Sequence, residues 1–311
     1  MTGQSNAVVM CADSGYLPYA LFLAWQIRTR SLRQDFDVII TSTEPISVPD
    51  SLQGFGIEVR QVDPGKELDD LPLIGLPATS YLRLFLPKLL GGRYQRLLYL
   101  DCDMWFDGGD LGRLMRLDLG GLAVGAVRDA PQIMTPSVAN SEYFEMGLPN
   151  GPYYNAGLLL IDTAAYVEQR CLERMLAVAK DHPAAVTKMD QSLINLALRG
   201  ELAELSPVWN WGINERQRIW TDDHPIRIRH FIGTLKPWHE RASMLSARWR
   251  EGYKEFFEAY LPEAVAQAGP DLGPKPAGLS VLYGLIRDQV KFGPRIARFL
   301  ARFKNEWDVL T

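Results

Sequence analysis

The 311-residue sequence predicts a layered α/β fold: a mostly parallel, doubly wound sheet followed by a helical C-terminal tail. Three observations carry that prediction. Short apolar runs recur along the first two-thirds of the chain and are continuous rather than alternating, as strands covered on both faces require. Segments with helical periodicity separate them, which favours parallel pairing through crossovers. One apolar run ends in two aspartates a residue apart, at the position where open α/β sheets bind ligands.

The elements follow in order. "AVVMCAD" (7–13) reads as a buried first strand and "PYALFLAWQIRTRS" (18–31) as the amphipathic stretch after it. "FDVIITST" (36–43) and "GIEVRQVD" (56–63) read as the second and third strands. "ATSYLRLFLPKLL" (78–90) opens on a Thr/Ser capping signal and reads as helical up to Pro87. Leu97–Leu100 fits a covered strand of a parallel sheet, although so short a run does not by itself exclude buried helix. "GLAVGAVRD" (121–129) continues the alternation, and "GPYYNAGLLLID" (151–162) is a Gly-rich turn feeding a longer apolar run, with Asn155 at its mouth. "KMDQSLINLAL" (188–198) puts Asp190 and Gln191 at a helix start, where the macrodipole favours an acid. Pro and Gly dominate "AGPDLGPKPAG" (268–278). The expected organisation is therefore a main domain over 1–267, a linker over 268–278 and a separate tail over 279–311.

Composition narrows the function. A hydrophobic content of 47% supports a sizeable core, and a net charge of −4 argues against a nucleic-acid partner. Cys11, Cys102 and Cys171 are scattered and odd in number, so neither a disulfide framework nor a cysteine-based zinc site fits them. There is no basic n-region, and no apolar run approaches bilayer length, so a cytoplasmic protein is expected.

Local patterns then point to chemistry. In "YQRLLYLDCDMWF" (94–106), an extended backbone turns Asp101 and Asp103 to one side and Cys102 to the other. Two like charges held that close repel unless a cation sits between them. A divalent-metal site is the functional reading, and a solvated turn is the bland one. "RHFIGTLKPWHE" (229–240) spaces His230, Gly233 and Lys236 at three-residue intervals before a Pro-Trp stop. Singly, Asn155 as a turn cap, Asp190 as a helix cap and His230 as a packed histidine are adequate explanations.

Taken together, the motifs resemble a known family. "CADSGY" (11–16), "SYLRLFLP" (80–87), "LYLDCDMWF" (98–106), "YYNAGLLLID" (153–162), "MDQSLIN" (189–195) and "HFIGTLKPW" (230–238) occur in the order found in glycosyltransferase family 8. The D-x-D pair is weak evidence alone, whereas the H-x-x-G-x-x-K-P-W string is far more specific. The resemblance implies a GT-A-type nucleotide-diphospho-sugar transferase fold and a retaining hexosyltransferase. It implies Mn²⁺ (or Mg²⁺) held by Asp101, Asp103 and His230 against the diphosphate of a UDP-sugar. It gives Cys11, Ala12, Asp13 and Tyr16 the uridine, with Gly15 standing where some relatives carry Asn. It gives Gly233 and Lys236 the phosphates, Cys102 a place beside the donor, and Arg83, Asp129, Asn155, Asp190 and Gln191 the sugar. Asp190 or Gln191 is the nearest candidate nucleophile for a double displacement; same-face attack, with the departing diphosphate taking the acceptor's proton, is the favoured alternative.

Rival readings are weaker. Phosphohydrolases with a D-x-D nucleophile carry it on the first strand, and a nucleotidyltransferase would need a basic Gly-rich loop that "CADSGYLPYA" lacks. A non-catalytic or self-glycosylating UDP-sugar-binding relative remains the alternative. Acceptor recognition is expected from residues 130–151 and 209–220, with a carbohydrate or lipid-linked glycan as acceptor. The tail is basic: residues 275–311 carry a net +4 and the rest of the chain −8. Ile296, Phe299, Leu300, Phe303 and Trp307 fall at helical spacing beside Arg295, Arg298 and Arg302, the pattern of an interfacial helix on the anionic inner face of a membrane. Packing of that helix on protein is the alternative.

Overall fold

The computed structural model describes residues 5–73, 77–212, 225–233, 236–238, 247–269 and 279–311. β1 (Asn6–Cys11) is buried throughout, and its side chains alternate between two cores, Val8 and Met10 on one side, Ala7 and Val9 on the other. β4 (Arg96–Leu100) does the same, with Leu98 and Leu100 opposed to Leu97 and Tyr99. Both faces are covered, which is why the apolar runs are continuous in sequence. α1 (Leu17–Arg30) and the helix Ala247–Tyr260 cover the first side; α2 (Leu82–Leu90) and the helices Cys171–Asp181 and Met189–Ala197 cover the second.

With β2 (Asp37–Ser42), β3 (Ile57–Gln61), β6 (Val124–Arg128), β7 (Tyr154–Asp162), β8 (Leu202–Leu205) and β11 (Val309–Leu310), these strands form an eight-stranded sheet in the order β11-β8-β6-β7-β4-β1-β2-β3. β1 is parallel to β2 and β4, β2 to β3, and β6 to β8. β7 instead runs antiparallel to β4 and β6, and β11 antiparallel to β8. The reversal of β7 matters for the site, because it brings the start of that strand to the carboxyl edge of β4. Between Ala126 and Val127 the partner on β7 jumps from Leu159 to Asn155, a bulge that re-aims the strand's first residues. A second sheet, β5 (Met104–Phe106), β10 (Ile228–His230) and β9 (Trp211–Gly212), has β10 in the middle.

Two expectations change. α2 passes through Pro87 and ends at Leu90, its last turn closed by the Gly91 N–H on the Pro87 carbonyl at 2.9 Å. Burial of Leu86, Pro87 and Leu90 outweighs the backbone bond that proline cannot make. The second change concerns the tail. Residues 270–278 lie outside the described residues, but the chain beyond them is not a separate unit. Ile296, Phe299 and Phe303 are buried in the first core, and β11 extends the main sheet. Arg302 makes a two-pronged bond to Glu204 at 2.9 Å on each prong, and Glu306 accepts from Arg227 at 2.8 Å. The apolar stripe assigned to a membrane is thus occupied by the protein's own core. Among the described residues no helix is long and apolar enough to cross a membrane.

Candidate active site

A cleft of about 860 Å³ opens at the carboxyl edge of β1 and β4, and all the site candidates read from the sequence line it. The most distant ones meet through the small sheet. β10 pairs with β5 in a register that sets His230 opposite Met104, so the ring lies next to the residue before β5, Asp103. His230 Nε2 stands 3.2 Å from Asp103 Oδ1 and 3.6 Å from Asp101 Oδ2. One ligand atom from each of the three residues falls within 4.8 Å of the others.

The histidine's orientation follows from a chain of amides anchored on backbone. The Gly157 N–H donates to Asn155 Oδ1 at 2.9 Å, which fixes that amide and turns its Nδ2 to Gln191 Oε1 at 3.1 Å. Asn210 Nδ2 also donates to Asn155 Oδ1, at 2.8 Å. Asn210 Oδ1 is thereby left facing His230 Nδ1 at 3.0 Å. An amide oxygen only accepts, so an Nδ1 proton is held there, and Nε2 is the ring nitrogen that faces the carboxylates.

Three acidic groups are balanced by two cations. The buried Arg83 guanidinium lies 2.9 Å from Asp101 Oδ1 and 3.3 Å from Asp190 Oδ2, and also donates to the carbonyls of Ser80 and Ala156 at 2.9 Å. Tyr99 Oη donates to Asp101 Oδ1 at 2.6 Å. Lys236 Nζ donates to Asp103 Oδ2 and to the Phe231 carbonyl. Burial alone would raise Asp103, yet His230 and Lys236 beside it hold its carboxyl far below the usual carboxylate range. Asp190 goes the other way: burial, with Asp101 adding to it and Arg83 opposing, pushes it up to about 6. Burial also raises Asp129.

This donor set fits a hard or borderline divalent ion. Asp101, Asp103 and His230 converge, two carboxylates and an imidazole, a combination that could hold a divalent ion without a thiolate. The thiols do not compete. Cys11 Sγ lies 3.3 Å from Thr41 Oγ1 and is pushed up to about 12 by burial. Cys102 donates to the Cys11 carbonyl at 3.3 Å and is raised well above the usual thiol range, also by burial. Neither thiol is a thiolate near neutral pH.

Also lining the cleft, Asp13 Oδ1 accepts from the Tyr16 N–H at 2.9 Å, and the Tyr16 ring is exposed. Gly233 has φ +83°, a left-handed conformation that glycine adopts without strain. Trp238 stacks on Tyr19 with centroids 3.9 Å apart, so the segment from His230 is anchored at both ends; Thr234 and Leu235 lie outside the described residues.

Three residues escaped the sequence reading. Asn210 orients His230 from a segment read as acceptor-binding, where Trp209 and Trp211 are buried in the core and 213–220 lie outside the described residues. Ala130, Pro131 and Met134 do line the cleft, but Tyr143 is core. Asn195 clasps the first residue of β7, accepting from the Tyr154 N–H at 2.7 Å and donating to its carbonyl at 2.8 Å. Gly157 is the third. A Cβ there would meet His230 Cε1 at 2.4 Å and Nδ1 at 2.7 Å. The legible signal was a glycine inside a strand, which marks a close approach. Gly157→Ala is expected to displace the ring, weakening divalent-ion affinity about 10- to 100-fold and lowering stability by about 1–3 kcal/mol. Isothermal titration with Mn²⁺ and a thermal melt read the two effects separately, and unchanged affinity would place the ion elsewhere.

Known proteins resemble the chain in sequence and in fold. Residues 7–242 match the model of glycosyl transferase family 8. The chain is 26% identical over 178 residues to a lipopolysaccharide 1,2-glucosyltransferase of Escherichia coli, covering 54% of this chain and 52% of that protein. It is 25% identical over 258 residues to general stress protein A of Bacillus subtilis, covering 75% and 87%. The chain thus spans about half the length of the first relative and most of the second. Among solved structures, the galactosyltransferase LgtC, in complex with donor and acceptor sugar analogs, superposes with a TM-score of 0.70 at 20% identity, covering 84% of this chain and 99% of that one. That likeness establishes the GT-A fold.

Proposed function

The chain belongs to glycosyl transferase family 8, and on that premise we propose that it moves a hexose, glucose or galactose, from a UDP-sugar to a glycan or lipid-linked glycan, with metal dependence and retention at the anomeric carbon. The observation that carries this reading is the convergence of Asp101 Oδ2, Asp103 Oδ1 and His230 Nε2 beside Lys236, at one side of a cleft roomy enough for a nucleotide-sugar. Relatives named as lipopolysaccharide glucosyl- and galactosyltransferases support the hexose and an acceptor of that kind.

In this reading Asp101, Asp103 and His230 hold the ion, which offsets negative charge on the leaving diphosphate. Lys236 and the Gly233 backbone face the same phosphates. Asp13 and Tyr16 take the uridine, the tyrosine offering a flat face for stacking. Asp129, Asn155, Asp190 and Gln191 discriminate sugar hydroxyls, because a buried polar group left unmatched costs affinity. The Gln191 carbonyl oxygen is already engaged by Asn155 Nδ2 and the Ala156 N–H. What it offers a sugar is its NH₂, a donor and no nucleophile. Asp190 is tied to Arg83. Both facts favour same-face attack, in which the diphosphate oxygen takes the acceptor's proton, over a double displacement.

A screen of UDP- and GDP-sugars with Mn²⁺, reading nucleotide release, tests the function. Release from a UDP-hexose that EDTA abolishes is expected. Binding without release from any sugar would leave a non-catalytic relative, and sugar found on the protein itself a self-glycosylating one. If Lys236 offsets leaving-group charge, Lys236→Ala lowers kcat by about 10²-fold with little change in KM. A change confined to KM would reduce its role to ground-state binding.

A further inference from the structure

We propose that Glu142, a buried carboxylate outside the cleft, is a positioning residue that holds the turn presenting Asp190 and Gln191 to the donor sugar. Glu142 lies on the short helix Ser141–Glu145 and has no solvent exposure. Burying a charge is costly unless it is paired and hydrogen-bonded, and this carboxylate is engaged on both oxygens. Oε1 accepts from three hydroxyls: Tyr153 Oη at 2.8 Å, Thr187 Oγ1 at 2.9 Å and Ser192 Oγ at 2.7 Å. Lys188 Nζ stands 3.8 Å from Oε2 and 4.3 Å from the centroid of the Tyr153 ring.

Three of those partners belong to one turn. Thr187 and Lys188 are the two residues before the helix Met189–Ala197, and Ser192 is its fourth residue. Ser192 Oγ donates to Glu142 and accepts the Lys188 N–H at 2.7 Å, so the carboxylate reaches the backbone through that hydroxyl. Between them Met189 is buried with φ +50°, a left-handed conformation that strains a bulky side chain. Such strain persists only where the surroundings over-determine it. Glu142 grips the chain on both sides of the strained residue, and the next two residues are Asp190 and Gln191.

The placement of those two depends on the turn. Asp190 Oδ2 meets Arg83 at 3.3 Å, and Gln191 Oε1 takes the Asn155 amide at 3.1 Å and the Ala156 N–H at 3.2 Å. Relaxation of Met189 to ordinary helical angles would re-aim both side chains. Thr187 to Gln191 line the cleft, whereas neither Glu142 nor Ser192 is among its lining residues. Within the segment expected to recognise the acceptor, Glu142 thus braces the donor-sugar residues instead. Asp101, Asp103 and His230 stand on other elements, so ion binding should be indifferent to it.

Because this role rests on the transferase reading, two measurements are needed. The ratio of kcat/KM between UDP-glucose and UDP-galactose, read by nucleotide release, does not change when part of a sample is merely inactive. Glu142→Ala leaves three hydroxyls without their acceptor and should cut that discrimination on the order of tenfold, with Mn²⁺ and UDP affinities unaltered. Glu142→Gln keeps an acceptor oxygen for the hydroxyls, while Lys188, half exposed, can turn to solvent; it should restore the ratio. Ser192→Ala is a milder lesion that should move the ratio the same way, so the role stays testable if Glu142→Ala does not fold. An unchanged ratio in the alanine variants overturns the proposal. Amide hydrogen exchange supplies the second measurement and needs no chemistry. Exchange across 186–192 should rise about tenfold in Glu142→Ala, while peptides holding Asp101 and Asp103, or His230, exchange as in wild type. A rise shared equally by all peptides, or no rise at 186–192, makes Glu142 an ordinary core group and overturns the proposal. Should wild type release nucleotide from no UDP-sugar, the transferase reading fails, and the exchange pattern alone decides whether Glu142 holds the turn.

Discussion

Asp103→Asn is expected to lower Mn²⁺-dependent nucleotide release by about 10³-fold while the protein stays folded. The residue has two jobs, one per oxygen: Oδ1 lies 3.2 Å from His230 Nε2, and Oδ2 accepts from Lys236. Asparagine matches the shape but has one oxygen and one NH₂, so it can serve one neighbour and must present a donor to the other. Lys236 has the stronger claim on the oxygen, which turns the NH₂ toward His230 and the ion. Because Asp103 is held far below the usual carboxylate range, the wild-type charge is present at every practical assay pH. Acidity therefore cannot mimic the variant. The stability loss should stay within about 1–3 kcal/mol, the cost of one mismatched buried bond. Calorimetric titration should show Mn²⁺ and UDP affinities falling together, because the diphosphate completes the ion's shell. Wild-type Mn²⁺-dependent release in the variant would show that these three residues do not hold the ion.

What could be read from the sequence divides along a physical line. Strands covered on both faces leave continuous apolar runs, so β1, β2 and β6 were legible to within a few residues. The two aspartates at the end of β4 were visible because strand alternation alone puts them on one side. Helix termination at Pro87 was a local rule overridden by burial of Leu90, a tertiary fact. The antiparallel course of β7 left no local trace, and it is what carries Asn155 to the aspartates. Asn210 and Asn195 were hidden for a related reason: an amide reads alike whether it caps a turn or orients a histidine, and the partner is remote in sequence. The terminal helix misled because it has two apolar stripes, and spacing cannot say which one meets the core.

Arg83→Leu is expected to destabilise the metal-free protein by about 3–5 kcal/mol near neutral pH, the range for removing one partner of a buried ion pair. One guanidinium serves two carboxylates here, Asp101 at 2.9 Å and Asp190 at 3.3 Å, over the Tyr99 ring at 4.5 Å. Leucine restores some of the packing and none of the charge, so both acids are left facing each other's field in a largely dry site. The loss should depend on pH in a definite direction. Asp190 already titrates at about 6 with Arg83 in place, because burial outweighs the arginine's pull. Its value in the unfolded chain is about 3.9. The folded state thus binds that proton more tightly, and stability falls as pH rises from the unfolded value through the folded one. Removing Arg83 moves the folded value higher still, which widens the interval over which stability is lost. The gap between variant and wild type should accordingly be smaller at about pH 5, where Asp190 is mostly protonated in both, than at about pH 8, where wild type keeps a compensated carboxylate and the variant does not. Urea unfolding of both proteins at the two pH values, with chelator present, measures the gap directly. A gap that does not change with pH would mean Asp190 is not a carboxylate Arg83 holds ionised, and a gap below about 1 kcal/mol would mean water screens the cluster as it does a surface pair.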